Sequence, residues 1–204
     1  MYLPKHFASD DLSLALQLAE EHPLALLVGP DAQGDGFGTH LPLVALTREP
    51  LVLEGHMARA NPHWEWLARQ QRLMAVFSGP SAYVSPQHYD STRNVPTWNY
   101  AALHVYGDIE LVESSVDKDA LLKRLIGRFE PAYAEQWRGL DEDYQQKLLG
   151  AIVGFRLRAT RWELKLKLSQ NRAATERARI QGALAASAKS EERAIAEWMA
   201  RLEG

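Results

Sequence analysis

Strand-forming segments follow one another along most of this chain, and turn residues rather than long helices separate them. The segments cover residues 24–28, 38–45, 50–56, 72–77 with 81–85, 99–111 and 152–168, and the fourth is expected to be interrupted or bent at Gly79-Pro80. The regular strand–helix–strand alternation that a parallel sheet requires is not found. We therefore expect an α+β fold, a small antiparallel β-barrel or sheet with peripheral helices.

Capping residues mark where three helices are expected to begin. Ser9, followed by two aspartates, predicts a first helix of about ten to twelve residues. Asn61 and the proline after it favour a second helix start. The apolar residues within 117–130 recur with the helical period and predict an amphipathic helix capped by Asp117. Residues 173–203 are rich in Ala, Arg and Glu and predict one or two further helices.

Length and cysteine content limit the remaining structural classes. A chain of 204 residues, 46% of them hydrophobic, is long enough to bury its core without disulfides or a structural metal. It contains no cysteine, which excludes disulfide frameworks, thiolate zinc sites, iron–sulfur clusters and cysteine nucleophiles. We expect one domain over residues 1–185 and a C-terminal helical tail over 186–204.

The apolar runs are too short for a membrane protein. The longest of them, 24–28 and 73–77, have five residues each, whereas a membrane-spanning helix needs about 20. The N-terminal residues lack the apolar region of a secretory signal and reach acidic residues by position 10. The expected location is cytoplasmic.

Positive charge is concentrated in one segment of an acidic chain. The net charge is −3, but residues 156–179 hold eight Arg or Lys against two Glu. Strict alternation over 162–168 places Glu163, Lys165 and Lys167 on one face of a strand. This face, with the hydroxyl and amide residues after it, suits a phosphate or nucleic acid, and a solvated strand face followed by helix caps explains it equally well.

Common catalytic motifs are missing from the sequence. The glycines of 34–38 follow a G-x-G-x-G pattern that leads into a strand, so they predict a hairpin turn rather than a dinucleotide site. P-loop, G-x-S-x-G and H-E-x-x-H motifs are not found. The seven histidines show no paired i, i+4 spacing, and no metal site is predicted.

Two loops carry residues suited to a bound cofactor. Trp98, Asn99 and Tyr100 bring an indole, an amide and a phenol together, which suits a planar heterocycle, although a hydrophobic corner has the same composition. The segment 55–62 places Arg59 on the approach to a helix N-terminus, an arrangement that favours an anion. A loop with a solvated arginine is the alternative.

Five motifs together resemble one known family. They are THLPL at 39–43, GHMARANPHW at 55–64, FSGPSAYVSPQHY at 77–89, VPTWNYAALHVYG at 95–107 and KLKLSQNR at 165–172. The chain resembles the PaiB-type FMN-binding negative transcriptional regulators, from residue 1 to about residue 185. The resemblance implies a split-barrel fold related to pyridoxamine phosphate oxidases and flavin reductases. It also implies a homodimer with FMN at the subunit interface.

The resemblance further implies which residues hold FMN. The isoalloxazine ring would pass the strand that carries Thr39, His40, Leu41 and Pro42. The turn with His56, Ala58, Arg59 and Asn61 would grip the phosphate, chiefly through Arg59. The remaining members would wall the ring and complete the site from the partner subunit or the far strands: Trp98, Asn99, Tyr100, Lys167, Ser169, Gln170 and Asn171. No catalytic residue is predicted.

Two functions are consistent with this resemblance. In the first, the protein is a negative transcriptional regulator whose segment 156–179 contacts DNA. In the alternative, it is a flavin-dependent oxidoreductase, like a flavin reductase or pyridoxamine phosphate oxidase, that uses NAD(P)H or a small substrate. The sequence contains no recognisable helix-turn-helix, and a net charge of −3 disfavours strong general DNA affinity.

Overall fold

The computed structural model of the chain describes residues 1–69 and 73–202. Its strands are β1 (Ala8–Ser9), β2 (Leu24–Pro30), β3 (Gly36–Pro42), β4 (Val44–Arg48), β5 (Leu51–Ala58), β6 (Leu73–Val84), β7 (Thr97–Val112) and β8 (Ile152–Lys167). Its helices are α1 (Leu12–Glu21), α2 (His63–Arg69), α3 (Ser115–Phe129), α4 (Tyr133–Gly139), α5 (Glu142–Gly150), α6 (Ala174–Ala185) and α7 (Ser190–Arg201). The predicted α+β class with an antiparallel sheet is confirmed.

One sheet contains all eight strands. The hydrogen-bonded order is β3-β2-β6-β7-β8-β5-β4, and β1 pairs with β8 off this path. The β2–β3, β2–β6, β4–β5, β5–β8 and β1–β8 pairs are all antiparallel. A Cβ at Gly55 of β5 would lie 2.9 Å from the carbonyl oxygen of Pro42 and 2.7 Å from the Leu43 side chain. Only glycine allows β5 to approach the end of β3 this closely.

The predicted hairpin is present, but its second strand ends earlier than expected. Leu24 pairs with Pro42 at the open end of the hairpin and Pro30 pairs with Gly36 beside the turn. The predicted segment 38–45 covers parts of two strands, because β3 ends at Pro42 and β4 pairs with β5 instead. Proline has no N–H to extend the ladder, which accounts for a break at this position.

The expected interruption of β6 at Gly79-Pro80 is wrong. The strand runs without a break from Leu73 to Val84. A Cβ at position 79 would lie 2.5 Å from the Leu18 side chain of α1 and 3.0 Å from the Ala101 carbonyl oxygen. Glycine therefore allows close packing within a continuous strand. Arg72, the predicted first residue of this strand, lies outside the described residues.

The structure corrects two predicted caps and confirms the third. Asp11, not Ser9, accepts hydrogen bonds from the backbone N–H groups at the start of α1. The hydrogen bond from the Ser13 hydroxyl, together with these backbone bonds, lowers the pKa of the Asp11 carboxyl. Ser114, not Asp117, caps α3, and its hydroxyl accepts from the Asp117 backbone N–H. The Asn61 side chain accepts a hydrogen bond from the backbone N–H of the first residue of α2, as expected. Serine and aspartate are both good caps, so neighbouring candidates compete.

Two regions depart from or refine the helix predictions. The sequence predicted neither α4 nor α5. Residues 173–203 form two helices within the described part of the chain, as predicted, and α7 buries Ile195 and Trp198. No helix in the described part of the chain is both long enough and apolar enough to cross a membrane.

The chain divides into two compact units. The first contains Met1–Glu21, Ser78–His104 and Glu163–Gly204, and the second contains His22–Phe77 and Val105–Trp162. Long strands contribute to both units, so each unit is built from segments far apart in sequence. The predicted site residues fall into two groups, one within each unit.

Candidate functional site

A hydrogen-bonded cluster forms in the second unit where β3 meets the start of α2. The Thr39 hydroxyl lies 2.8 Å from His63 Nδ1 and accepts a hydrogen bond from Asn61 Nδ2 at 3.1 Å. The Asn61 carboxamide oxygen accepts from the His63 backbone N–H at 3.0 Å. The structure therefore brings two predicted residues, Thr39 and Asn61, into direct contact, and both also contact His63, which was not predicted.

His63 lies fully buried in this cluster against two aromatic rings. The Phe37 ring makes an edge contact with the imidazole at 4.8 Å between centroids, and the Trp66 ring lies 6.3 Å away. Burial lowers the pKa of His63, because an apolar environment disfavours the imidazolium. Within the described residues, Nε2 of His63 has no hydrogen-bond partner. His63 is therefore a neutral side chain at neutral pH.

Arg59, directly after β5, is held by hydrogen bonds from both its backbone and its side chain. Its backbone N–H donates to the Ala151 carbonyl, and its own carbonyl accepts from the Trp64 indole N–H. Its guanidinium donates to the carbonyl oxygens of Gly150 and Ile152. These contacts fix the loop between β5 and α2, the loop that the sequence predicts to bind an anion.

The other predicted residues of this group have varied environments. Leu41 is buried in the core, whereas His40 and Ala58 are exposed and Pro42 is half-buried. His56 is half-buried, and burial lowers its pKa. Its Nδ1 atom is buried and, among the described residues, has no hydrogen-bond partner.

A polar pocket of about 150 Å³ lies in the first unit, where β7 begins and β8 ends. Four of the predicted residues line it, namely Asn99, Lys167, Ser169 and Asn171. The sequence analysis did not assign five others to the site: Tyr89, Val95, Pro96, Thr97 and Arg172. All five occur in the motifs that carry the family resemblance, so the motifs contained the signal, although nothing in the composition singled them out.

Two cations face this pocket. The Lys167 ammonium donates to the Thr97 hydroxyl, and burial lowers its pKa, with a further lowering from Lys165 that Tyr100 opposes. The Arg172 guanidinium donates to the Asn94 side-chain oxygen at 2.8 Å and stacks on the Tyr89 ring at 3.8 Å. Stacking and a hydrogen bond orient the planar fork of Arg172, and a fork of this kind matches phosphate and carboxylate oxygens.

The predicted solvated face of β8 is largely enclosed. Lys165 is only 8% exposed, and its ammonium donates to the Tyr2 carbonyl oxygen at 2.9 Å. It also lies over the Tyr100 ring, with 5.2 Å between Nζ and the ring centroid. The sequence left two explanations open for this face, a phosphate or nucleic-acid site and a solvated strand surface. The solvated surface is wrong for Lys165.

Three predicted residues do not line the pocket. Trp98 is 55% exposed and packs edge-on against Tyr83. Tyr100 is half-buried beneath Lys165, as described above. Gln170 turns back on its own segment, where its side chain binds the backbone N–H of Leu168 and the carbonyl of Leu166.

The chemistry of the pocket fits part of FMN. Lysine and arginine supply positive charge, and the hydroxyl and carboxamide groups supply neutral donors and acceptors, a set that suits a phosphate. Pockets for whole cofactors usually measure about 300–1,000 Å³, so this pocket of about 150 Å³ is too small for an entire cofactor.

Comparison with known proteins identifies the family. A family model described as "Putative FMN-binding domain" matches residues 1–161. The chain belongs to this family of FMN-binding domains, and FMN is the cofactor of the family. The family and cofactor expected from the sequence motifs are thereby confirmed.

Similar proteins agree with this assignment. The chain is 32% identical over 182 residues to the "Protease synthase and sporulation protein PAI 2" of Bacillus subtilis, covering 86% of this chain and 85% of that protein. The FAD and heme binding protein of Mycobacterium smegmatis has a TM-score of 0.65 at 19% identity, covering 84% of this chain and 78% of that one. The flavocytochrome Anf3 of Azotobacter vinelandii has a TM-score of 0.64 at 20% identity, covering 78% and 69%. At such identities the two structures support the split-barrel fold alone.

Proposed function

We propose that this protein binds FMN and that the pocket in its first unit holds the phosphate end of the cofactor. Lys167 and Arg172 supply the positive charge for this role, and Thr97, Ser169 and Asn171 line the same pocket. When bound, FMN supplies oxidation–reduction chemistry, while the protein binds and orients it. The single observation that carries the proposal is the convergence of two cations and several neutral polar groups in one pocket.

Arg172 and Lys167 have different roles in binding the anion in this proposal. The fork of Arg172 is held by Asn94 and Tyr89, so little side-chain freedom is lost when it meets phosphate oxygens. Lys167 has three N–H groups and donates one hydrogen bond to Thr97. A bound anion stabilises the protonated, charged form of a partly buried lysine. FMN binding is therefore expected to raise the pKa of Lys167 back toward its ordinary value.

The first test is the visible absorption spectrum of freshly purified protein, with mass identification of any compound released on denaturation. The proposal predicts a flavin spectrum and the release of FMN, or uptake of FMN by colourless protein. Lys167→Met should weaken uptake at least tenfold, while the matched Lys189→Met, which removes an exposed lysine from the start of α7, should leave it unchanged. A protein that takes up no FMN under these conditions would contradict the proposal.

Negative transcriptional regulation is the second candidate function. The observation in its favour is the 32% identity to a Bacillus subtilis protein whose name refers to protease synthesis and sporulation. The segment 156–179 supplies few unengaged cations for DNA, since Lys165 is enclosed and Arg158 is paired with Glu110 at the surface. Loss of specific DNA binding, or of repression, on removal of FMN would support a regulator that senses its flavin. Reduction of the bound flavin by NAD(P)H, with no DNA affinity, would favour an oxidoreductase.

A homodimer forms part of the same proposal. The rings of Trp98 on β7 and Tyr83 on β6 make a T-shaped, edge-to-face contact, and each side chain is about half exposed. Exposed aromatic pairs of this kind are typical of interfaces. Analytical ultracentrifugation should show a dimer for the wild type and a shift toward monomer for Trp98→Asp. A monomeric wild-type protein would contradict this part.

A further inference from the structure

Ser169 has an unusual backbone conformation at the edge of the pocket. Among the described residues other than glycine, it is the only one with a positive φ, at 66°. An L-residue with a side chain adopts this left-handed conformation at an energetic cost, because its Cβ approaches the following carbonyl. Residues in such conformations persist only where their surroundings hold them, and they are frequent at ligand sites.

Asn99 provides the contacts that hold Ser169. The Asn99 amide nitrogen donates to the Ser169 hydroxyl at 3.0 Å, and the hydroxyl lies 3.1 Å from the Asn99 carbonyl oxygen. Asn99 is fully buried, and its amide nitrogen also lies 4.0 Å from the sulfur of Met199 on α7. Both polar ends of the Asn99 side chain are thus engaged within the protein.

The conformation of Ser169 sets the course of the chain around the pocket. The Ser169 carbonyl accepts a hydrogen bond from the Arg172 backbone N–H at 3.0 Å, which closes a tight turn directly after β8. Gln170 braces the turn from within, since its side chain binds the backbone at Leu168 and Leu166. The turn carries Asn171 and Arg172 to positions that line the pocket.

We propose that Asn99 and Ser169 are positioning residues for the FMN site and not direct ligands of the cofactor. Together they hold residue 169 in the left-handed conformation, and the resulting turn presents Asn171 and Arg172 to the phosphate. This inference rests on the proposed function and departs from the sequence-based expectation that Asn99 and Ser169 contact FMN. The Asn99 side chain also contacts Met199 on α7, a helix that lies beyond the residues matched by the family model.

Two substitutions at one position separate positioning from direct binding. Ser169→Ala and Ser169→Gly both remove the hydroxyl and leave Asn99 equally without its partner, but only glycine adopts a positive φ freely. In titrations of the apo-protein with FMN, Ser169→Gly should stay within about threefold of wild type. Ser169→Ala should bind FMN about tenfold more weakly than the wild type. Alanine at residue 169 still pays the energetic cost of a positive φ, and the hydrogen bonds with Asn99 that offset this cost are lost.

Thermal unfolding without FMN tests the turn separately from the cofactor. Ser169→Gly should melt about 2–4 °C above Ser169→Ala, although glycine is normally the less stabilising residue. Equal melting temperatures would overturn the proposed strain whether or not FMN binds. Different melting temperatures, with both variants binding FMN as tightly as the wild type, would show that the turn does not position the ligand groups. Equal losses of affinity in both variants would identify the hydroxyl as a direct ligand. Failure of the wild type to bind FMN would refute the proposed function, and the comparison of melting temperatures would still test the strained turn.

Discussion

The guanidinium of Arg59 lies 2.8 Å from the carboxylate of Glu113, measured from Nη2 to Oε2, and the same guanidinium binds two backbone carbonyls of the connection between α5 and β8. The carbonyls at the end of a helix have no partner within the helix. A positive charge at that end also interacts favourably with the helix dipole. Lys118 adds a second cation, because its ammonium donates to the carbonyl of Leu149. Arg59 therefore stabilises the end of α5 from the neighbouring strand β5.

Arg59→Ala should lower the free energy of unfolding by about 1.5–3 kcal/mol, the usual contribution of hydrogen bonds from a charged group. Urea denaturation of the apo-protein measures this loss. Glu113→Gln is the control, and it should cost less than about 1 kcal/mol because the Arg59–Glu113 pair is exposed. An Arg59→Ala variant as stable as the wild type would contradict the proposed capping role.

The predicted contact of Arg59 with the FMN phosphate is a separate question. If Arg59 held the phosphate, Arg59→Ala would weaken FMN binding by one to two powers of ten, about 1.4–2.8 kcal/mol, whereas the proposed pocket around Lys167 and Arg172 predicts an unchanged affinity. Titration calorimetry at a temperature where the variant remains folded measures this change. An unchanged affinity alongside reduced stability would leave Arg59 with its structural role alone.

Arg124→Met should destabilise the second unit strongly. Glu54 is fully buried on β5, and the Arg124 guanidinium on α3 binds its carboxylate through two hydrogen bonds, one of them 2.8 Å between Nη2 and Oε2. Without Arg124 the Glu54 carboxylate remains buried and unpaired, which should cost about 3 kcal/mol of stability. This value is at the low end for a broken buried ion pair, because Arg124 itself is partly exposed.

The double variant Arg124→Met with Glu54→Leu is the matched control for this prediction. It replaces both charges with apolar groups, so it should recover most of the stability lost in the single variant. Urea denaturation of both proteins gives the comparison. A double variant no more stable than Arg124→Met would show that packing at these positions, rather than charge, determines the loss.

Stability should fall as the pH is lowered below about 6.5. Burial lowers the pKa of His63, so below the ordinary histidine value of 6.5 the unfolded chain binds a proton that the folded protein excludes. The stability contributed by neutral His63 is fully present above pH 6.5 and is lost as the pH falls toward its folded pKa. Between pH 7.5 and 5.5 the loss from one histidine reaches at most about 1.4 kcal/mol.

His63→Phe provides the comparison for the pH experiment. This variant removes the titrating ring and keeps an aromatic side chain against Phe37 and Trp66. Its stability should depend less on pH over 5.5–7.5, with the contribution of half-buried His56 remaining. The same pH dependence in the wild type and in His63→Phe would exclude His63 as the source.

Replacing Lys165 and Lys167 with methionine should leave the salt dependence of any DNA binding unchanged. Lys165 is enclosed against Tyr2 and Tyr100, and Lys167 faces the polar pocket. Each lysine that neutralises a DNA phosphate contributes about 0.9 to the slope of log affinity against log salt. Fluorescence anisotropy at several salt concentrations measures the slope. A slope reduced by about 2 in the double variant would place both lysines on DNA.

Local sequence patterns predicted most strands of the sheet but not what covers them. Alternation over 162–168 correctly indicates a strand with Lys165 and Lys167 on one face. The period cannot distinguish a solvated face from an enclosed one, because the groups that enclose Lys165 come from the far end of the chain. Ala8 pairs with Lys165, and the carbonyl of Tyr2 accepts its hydrogen bond.

The site shows the same division between local and distant information. Asn61 is recognisable as a cap from the proline after it, and the structure agrees. Arg59 precedes that cap and suits an anion, but its bonds to carbonyls about 90 residues away leave no local signal. Likewise, the sequence identifies Asn99 and Ser169 as polar residues in shared motifs, whereas their mutual contact depends on the pairing of distant segments.

The most direct test compares the affinity of the apo-protein for FMN with its affinity for riboflavin, which lacks only the phosphate. If the pocket holds the phosphate, FMN should bind at least about tenfold more tightly, as expected for charged hydrogen bonds. Lys167→Met should remove most of that difference, and Lys189→Met should retain it. Equal affinities of the wild-type protein for FMN and riboflavin would contradict the central claim that this pocket binds the phosphate of FMN.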